Sequence, residues 1–441
     1  MPRPPVLLHA ALLVPLLCLL AESSPGFAET TNAPMLTLQD AETEALRNHP
    51  RISAADLRAL AAKQTVTEAR SAYYPTLSGN VTAASTDGRD NTRLAAGGLN
   101  NPVIFERAAL GLVLTQTITD FGRSVDLSES AKFRALAESD NAAATRLQLL
   151  WQVDLGYFDV LQAQSLLEVA RQTVDTRQVL FEQVSALASN KLKSDLDVSF
   201  AQVGFEEARL LLARTENDLR AAFTRLATLL GSREDRRFTL VEEPLATNSP
   251  PDVAPLVFDA LNRRPEILEA KHQRDAAQRL AGAERALHYP TIAAVASTGL
   301  IPVHDSHLPD QYAAAGVNFS LPIFNGFLYT ARSKEAELRA RSAEENLRDW
   351  ENRVIRDTRL AWLDLGNAIE RWKIATRLQD AAEQAYALAD AKYKAGASSM
   401  VELSQAQLNV TAARIAAAAS RYELLAKRAG LDYQLGARSS K

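Results

Sequence analysis

An internal duplication constrains this chain more than any other feature of its sequence. Asn48-His49-Pro50 recurs as Arg263-Arg264-Pro265, and Tyr74-Pro75-Thr76 recurs as Tyr289-Pro290-Thr291, both at a spacing of 215. Farther along, Gly111 pairs with Gly316, Ile118 with Ile323, Asp120 with Asn325, Tyr157 with Trp362, Asp159 with Asp364, and Ala201-Gln202 with Ala406-Gln407, all at a spacing of 205. One ten-residue difference in a single connection accounts for the change. That connection, residues 87–103, is rich in Gly, Asn and Asp and reads as an exposed loop; its counterpart is residues 302–311. The copies are assigned to residues 29–245 and 246–441, and together they make one elongated protomer.

Each copy predicts the same order of elements. Thr37-Leu38-Gln39-Asp40 has the form of a capping box opening a short helix. Pro50 interrupts it, and residues 52–72 resume a helical pattern up to Tyr-Pro. Segments of period two follow. Leu110, Leu112, Leu114, Gln116 and Ile118 alternate with Gly111, Val113, Thr115 and Thr117, and in the second copy Val317, Phe319, Leu321 and Ile323 alternate with Gly316, Asn318 and Ser320. Residues 76–86 and 291–301 are the expected hairpin partners. Beyond each hairpin, residues 124–187 and 328–394 contain no proline and one glycine each, Gly156 and Gly366. Helices of that length reach on the order of 100 Å, which no compact domain needs. A break at Asn190-Lys191-Leu192 or Ala395-Gly396-Ala397 turns each one back into a return helix of about half the length, residues 195–230 and 400–429. Leu150, Val153, Tyr157, Val160, Leu167 and Val174 take heptad a and d positions, with Gln164 and Arg171 as polar intrusions. The two glycines permit curvature or a close neighbour.

Residues 1–28 carry Arg3, an apolar run from Val6 to Leu20 and Gly26-Phe27-Ala28 as a small-x-small cleavage site, the pattern of an export signal. The single cysteine, Cys18, lies inside that run after Pro15-Leu16-Leu17 and lacks the small residue that a lipid-attachment site wants before it. An exported chain without Cys18 has no disulfide, thiolate metal site or cysteine nucleophile. With 53 acidic and 49 basic residues, a formal charge of -4, the chain carries no electrostatic footprint for nucleic acid.

After the signal no stretch approaches the roughly 20 apolar residues of a membrane-spanning helix, so any crossing must use strands. Four strands cannot close a barrel, and an open edge in lipid leaves backbone N–H and C=O groups unpaired at several kcal/mol each. A dimer gives an eight-stranded barrel filled by side chains, whereas three copies supply twelve strands and a passage. The fold class expected is therefore mainly α with a small β part, with Val317, Phe319, Leu321 and Ile323 toward lipid and Gly316, Asn318 and Ser320 toward water.

Tyr-Pro-Thr before a hairpin, Leu321-Pro322-Ile323-Phe324-Asn325-Gly326 with its sister Asp120-Phe121-Gly122-Arg123, and Tyr393-Lys394-Ala395-Gly396 leading to Leu403-Ser404-Gln405-Ala406-Gln407 together resemble the TolC family of outer-membrane efflux proteins. The resemblance covers essentially the whole chain after the signal. It implies a homotrimer in the outer membrane whose twelve-stranded barrel continues into a long α-helical barrel across the periplasm, meeting a periplasmic adaptor and, through it, an inner-membrane transporter. Glu402 matches one acidic position of the family's entrance constriction, and neutral Gln405 occupies the other. Three carboxylates on a threefold axis favour cations. Asn190, Lys191, Leu192 and Ala395, Gly396, Ala397 align with the adaptor-contacting tips, Lys191 standing where the family usually has glycine.

Other readings are weaker. His304, His307 and Asp310 fall in a loop without the fixed third ligand of a metal site. No nucleophile motif or phosphate loop is present, so neither catalysis nor a cofactor is expected. A passive exit duct for efflux is the first reading; protein secretion or metal efflux through a similar duct comes next, and a periplasmic coiled-coil spacer without a pore is the rival that leaves the strand pairs unexplained.

Overall fold

The computed structural model describes residues 35–84, 107–232, 238–245, 247–248, 252–303 and 309–437. The expected signal segment with Cys18, the loop 87–103, and His304 and His307 lie outside the described residues. The first half runs β1 (Met35–Leu36), α1 (Leu38–Asn48), α2 (Pro50–Arg70), β2 (Thr76–Ala84), β3 (Arg107–Thr119), α3 (Arg123–Ser189) and α4 (Asp195–Leu229). The second runs β4 (Thr239–Leu240), α5 (Val253–Arg263), α6 (Pro265–Ala286), β5 (Thr291–Val303), β6 (Gln311–Ser320), α7 (Leu328–Lys394) and α8 (Met400–Gln434).

Local chemistry sets the helix ends. Thr37 and Asp40 close a reciprocal capping box at α1, and Ser194 and Asp197 close another at α4. Pro50 and Pro265 occupy the first turn of α2 and α6, where a missing N–H costs nothing. What ends one helix therefore begins the next. α3 and α7 are 67 residues each, about 100 Å.

The long helix α3 is the spine. α2 and α6 pack along its first half, α4 and α8 along its second, and α6 and α8 also pack on α7. The largest core gathers Leu149, Val153, Tyr157 and Val160 of α3 with Ala222 and Leu226 of α4 and Tyr422, Leu425 and Ala429 of α8. The Tyr157 hydroxyl lies 2.9 Å from Leu36 O and 2.7 Å from Val241 O, and it accepts the Val241 N–H at 3.0 Å. It thus ties the parallel pair β1–β4 to the spine, and burial pushes its pKa up to about 12.

The expected heptad holds from Leu150 to Leu167 and then changes. Val174 is only half-buried, whereas Ala170, Arg177 and Val184 are buried. The stripe steps by three residues because a straight α-helix drifts against a strict seven-residue repeat. Gly156 is a point of close packing: a Cβ there would stand 2.8 Å from Leu229 Cδ1. Gly366 has no such neighbour among the described residues.

The sheet is antiparallel in the order β2-β3-β5-β6, so the central β3–β5 pairing joins the two halves. Its registers put Leu77, Val81, Leu110, Leu112, Leu114, Val317 and Phe319 on one face and Thr76, Ser78, Asn80, Val113, Thr115, Ser297, Gly316, Asn318 and Ser320 on the other. β2 and β6 are its edges. The strand expected through Ile323 ends sooner: β6 stops at Ser320, and Leu321 and Ile323 stand in the connection to α7. Ser320 pairs with Thr291, the first residue of β5, so beyond it the chain has no strand left to bond.

Candidate channel entrance and membrane-facing sheet

The two helix turns at the far end from the sheet are built alike. In the first, Leu192 N–H reaches Leu187 O at 2.9 Å and Lys191 N–H reaches Ala188 O at 2.8 Å; in the second, Ala397 N–H reaches Lys392 O at 2.9 Å and Gly396 N–H reaches Tyr393 O at 3.0 Å. Both are Schellman closures with the middle residue left-handed, Lys191 at φ 59 and Gly396 at φ 72. Lys191 adopts the backbone that glycine adopts in the other copy. Asn190, Lys191, Leu192, Ala395, Gly396 and Ala397 are all exposed.

The helices that follow differ in the third residue. Asp197 turns back to cap its own helix through Ser194. Glu402 gives its N–H to Ser399 Oγ at 3.2 Å, but its carboxylate turns elsewhere: it accepts the Ser398 hydroxyl at 2.6 Å and lies 3.9 Å from Lys392 Nζ. Glu402 and Gln405 are exposed on one face of α8, and Gln405 Nε2 donates to Asn409 Oδ1 at 3.0 Å.

Sequence reasoning missed the link between the two turns. Lys193 Nζ stands 4.3 Å from the centre of the Tyr393 ring, joining the first turn to the end of α7. The ring belongs to a core of Leu180, Val184, Ala201, Ala389, Met400 and Leu403. Also unforeseen is Arg177, buried at a seam position of α3, where burial lowers its pKa. Gly204 of α4 makes room for it, since a Cβ there would lie 2.7 Å from Arg177 Nη1. Its place fourteen residues before Lys191, opposite a glycine thirteen residues after it, was the available signal.

At the opposite end the apolar face of the sheet is open. Val317, Phe319, Leu321 and Ile323 are all exposed, as are Leu77 and Val81 of the other edge strand. On the polar face Tyr312 lies across Gly111 and Gly299, where a Cβ would collide with its ring. The strand-to-helix connections are again alike: Phe121-Gly122 and Gly326-Phe327 are consecutive left-handed pairs, Asp120 Oδ2 accepts Ser124 N–H at 2.7 Å, and Asn325 Oδ1 accepts Tyr329 N–H at 3.5 Å. No helix among the described residues is long and apolar enough to cross a membrane. Among those residues no group of three or more His, Cys, Asp or Glu is placed to hold a metal ion.

A family model described as outer membrane efflux protein matches residues 43–232 and 256–437, one segment for each copy of the element order. The chain belongs to the outer membrane efflux protein family. It is 28% identical over 335 residues to outer membrane protein OprJ of Pseudomonas aeruginosa, spanning 74% of this chain and 69% of OprJ. It is 24% identical over 441 residues to outer membrane protein TolC of Escherichia coli, spanning 95% of this chain and 85% of TolC. In solved structures the fold matches the CusC channel with a TM-score of 0.80 at 22% identity, over 90% of this chain and 91% of that one. It matches VceC of Vibrio cholerae with a TM-score of 0.79 at 20% identity, over 90% and 96%. This is the TolC-like duplicated fold, and the protein is an outer-membrane efflux channel subunit in a family of channel proteins.

Proposed function

We propose that three copies of this chain close their sheets into one twelve-stranded barrel continuous with a barrel of long helices, and that this conduit gives substrates a passive exit from a periplasmic adaptor and an inner-membrane pump. The observation that carries the reading is the four-stranded sheet with an exposed apolar face and two open edges. In hydrocarbon those edges require partners, and twelve strands is the smallest multiple that leaves a lumen. The helices support the same assembly. Leu196, Phe200, Val203 and Leu210 form an exposed apolar stripe on α4, and Leu360, Leu363, Ile374 and Leu378 form another on α7, complementary surfaces for head-to-tail association of identical copies.

In this reading residues 29–245 and 246–441 are two structural units of one protomer. Val317, Phe319, Leu321 and Ile323 face outer-membrane lipid. The exposed turns at Asn190, Lys191, Leu192 and Ala395, Gly396, Ala397 meet the adaptor. Glu402 rings the entrance, with Gln405 one turn farther along as a neutral lining. No cofactor takes part, since the pump supplies the driving force. A membrane preparation tests the core of it: the chain is expected in the outer membrane as a compact trimer that dissociates on heating, and a soluble monomer in surfactant-free buffer overturns it. In planar bilayers Glu402→Ala is expected to lower cation selectivity; unchanged selectivity removes the entrance ring and leaves the fold.

A further inference from the structure

One row of residues runs straight across the sheet. Asn80 pairs with Gly111, Gly111 with Gly299 and Gly299 with Tyr312, so the four strands meet at this level in the order Asn80, Gly111, Gly299, Tyr312. Directly opposed strand residues share a face, and Asn80 places the whole row on the polar one. The two glycines leave a trough in the middle of the row, and the Tyr312 ring lies in it. A Cβ on Gly299 would press on the ring's Cε1, and a Cβ on Gly111 on its hydroxyl. The ring therefore reaches back over two strands, with its hydroxyl above Gly111 and toward Asn80. Any other residue at 111 or 299 would lift it off the wall.

Tyr312 is also the one aromatic residue on the polar face among the described residues of the sheet. The other aromatic of the four strands, Phe319, lies on the apolar face. It stands eight residues before Ser320, the end of β6 from which the chain continues to α7, which is about 26 Å along the strand. The row is thus at the end of the sheet remote from the helices.

Given the channel reading above, on which this rests, the row lines the lumen near its exterior mouth, and three copies set three such rings at one level. We infer that Tyr312 is a contact site for cargo that carries flat aromatic rings. Such a molecule stacks on the face of the tyrosine turned to the lumen, and its polar groups reach the Tyr312 hydroxyl and the Asn80 amide. The make-up of the strands leaves stacking as the grip available here: β2, β3, β5 and β6 contain no Asp or Glu, and Arg107 is their single charged residue. Stacking of this kind changes affinity by about two- to tenfold. A contact that weak suits a duct, because cargo must be held lightly enough to leave.

Single-channel recording of the full-length protein in planar bilayers tests the site. The flat probe is 1-methylquinolinium, added on the side of the barrel, and cyclohexyltrimethylammonium is the saturated cation of similar size. The native channel is expected to reach half-block at a quinolinium concentration about two- to tenfold lower than that of the saturated probe. Tyr312→Phe is expected to keep this ratio. Tyr312→Leu, which fills the trough without an aromatic face, is expected to bring it to unity. Gly111→Ala keeps the tyrosine, but its Cβ takes the place of the hydroxyl and tips the ring into the lumen, so a lower conductance and a ratio of unity are expected. A conducting native channel that both probes block equally overturns the inference and leaves the channel reading intact, as does a Tyr312→Leu channel with the native ratio. If Tyr312→Leu forms no trimer, Gly111→Ala decides, and native conductance with a native ratio in that variant overturns the inference. Native protein that forms no conducting pore removes the channel reading and this site with it.

Discussion

At Asn48-His49-Pro50 and at Arg263-Arg264-Pro265 the chain makes the same corner with different chemistry. In each, a short helix ends, proline starts the next, and a left-handed glycine at the end of the return helix settles on the corner: Gly231 on Asn48, Gly436 on Arg263 and Arg264. His49 serves the first corner as a neutral cap, its Nδ1 accepting the Arg51 N–H at 3.2 Å. Arg264 serves the second with its side chain only 5% exposed, bonded to both oxygens of Glu266 at 2.8 and 3.2 Å and to Gln434, beside Tyr433, which stacks on Trp151. One corner is a local cap; the other fastens the end of α8 to the start of α6 and to the spine. A duplicated backbone tolerates such divergence because the geometry of the corner is set by proline and glycine, leaving the side chain free to specialise.

The largest expected difference follows from desolvation. Arg264→Met leaves the Glu266 carboxylate, 12% exposed, without its cation, and a broken buried pair costs about 3–5 kcal/mol. His49→Ala removes one cap and costs about 1 kcal/mol. Urea unfolding followed by circular dichroism checks both, and equal losses break the comparison.

Acidity sharpens it further, since the two copies are expected to respond with opposite sign. Burial, and after it Arg51, lowers the pKa of His49, so the neutral form is favoured in the fold. Its contribution is full above the unfolded value of about 6.5 and is lost as pH falls below it. Glu269 of α6 is the reverse. Burial, then Glu138 and Asp140 of α3 and Glu266 of its own helix, raises it to about 7, while Gln273 opposes; Asp140 is itself bonded to His272. Its contribution is full below the ordinary carboxylate value and is lost as pH rises through 7. Hydrogen exchange between pH 5 and 7.5, corrected for intrinsic rates, is expected to show the start of α2 gaining protection and α6 losing it. Glu269→Gln is expected to abolish the second change alone.

Most of this architecture was legible because duplication doubles every signal. Tyr-Pro-Thr, the proline-free runs and the alternating strands each appear twice, and the helix limits came out within a few residues, α7 at both ends. What stayed hidden depends on contacts between elements distant in sequence. Arg177 falls off the expected heptad and only its placement across the turn from Gly204 marks it, while Lys193 gives no hint of the Tyr393 ring. The end of β6 at Ser320 was illegible for a different reason: alternation continues through Ile323, but a strand also needs a neighbour, and the single chain supplies none there. Glu402 and Gln405 do share an exposed face, as an entrance lining requires, yet the carboxylate's partners Ser398 and Lys392 are set by the turn and not by spacing.

Smaller effects probe the backbone that the copies share. Gly231→Ala places a Cβ 2.8 Å from Asn48 O, whereas Gly436→Ala meets Arg263 at 3.3 Å. Both incur roughly 1–2 kcal/mol for a left-handed alanine, and Gly231→Ala is expected to exceed that range because it also presses on backbone. Similar losses in urea unfolding show that the corners yield equally.

The smallest effect is expected at the tips. Lys191 holds the left-handed backbone without glycine's freedom, so Lys191→Gly relieves strain of roughly 1 kcal/mol. The added flexibility of the unfolded chain offsets about 0.4–1 kcal/mol of it. A net gain of a few tenths is the outcome expected in urea unfolding. Gly396→Lys runs the exchange backwards, with a net loss of similar size if the two Schellman turns are equivalent. A loss several times larger means that the second tip, which carries Glu402 one turn farther on, is held under a constraint that the first escapes, and the equivalence of the repeats ends at the channel mouth.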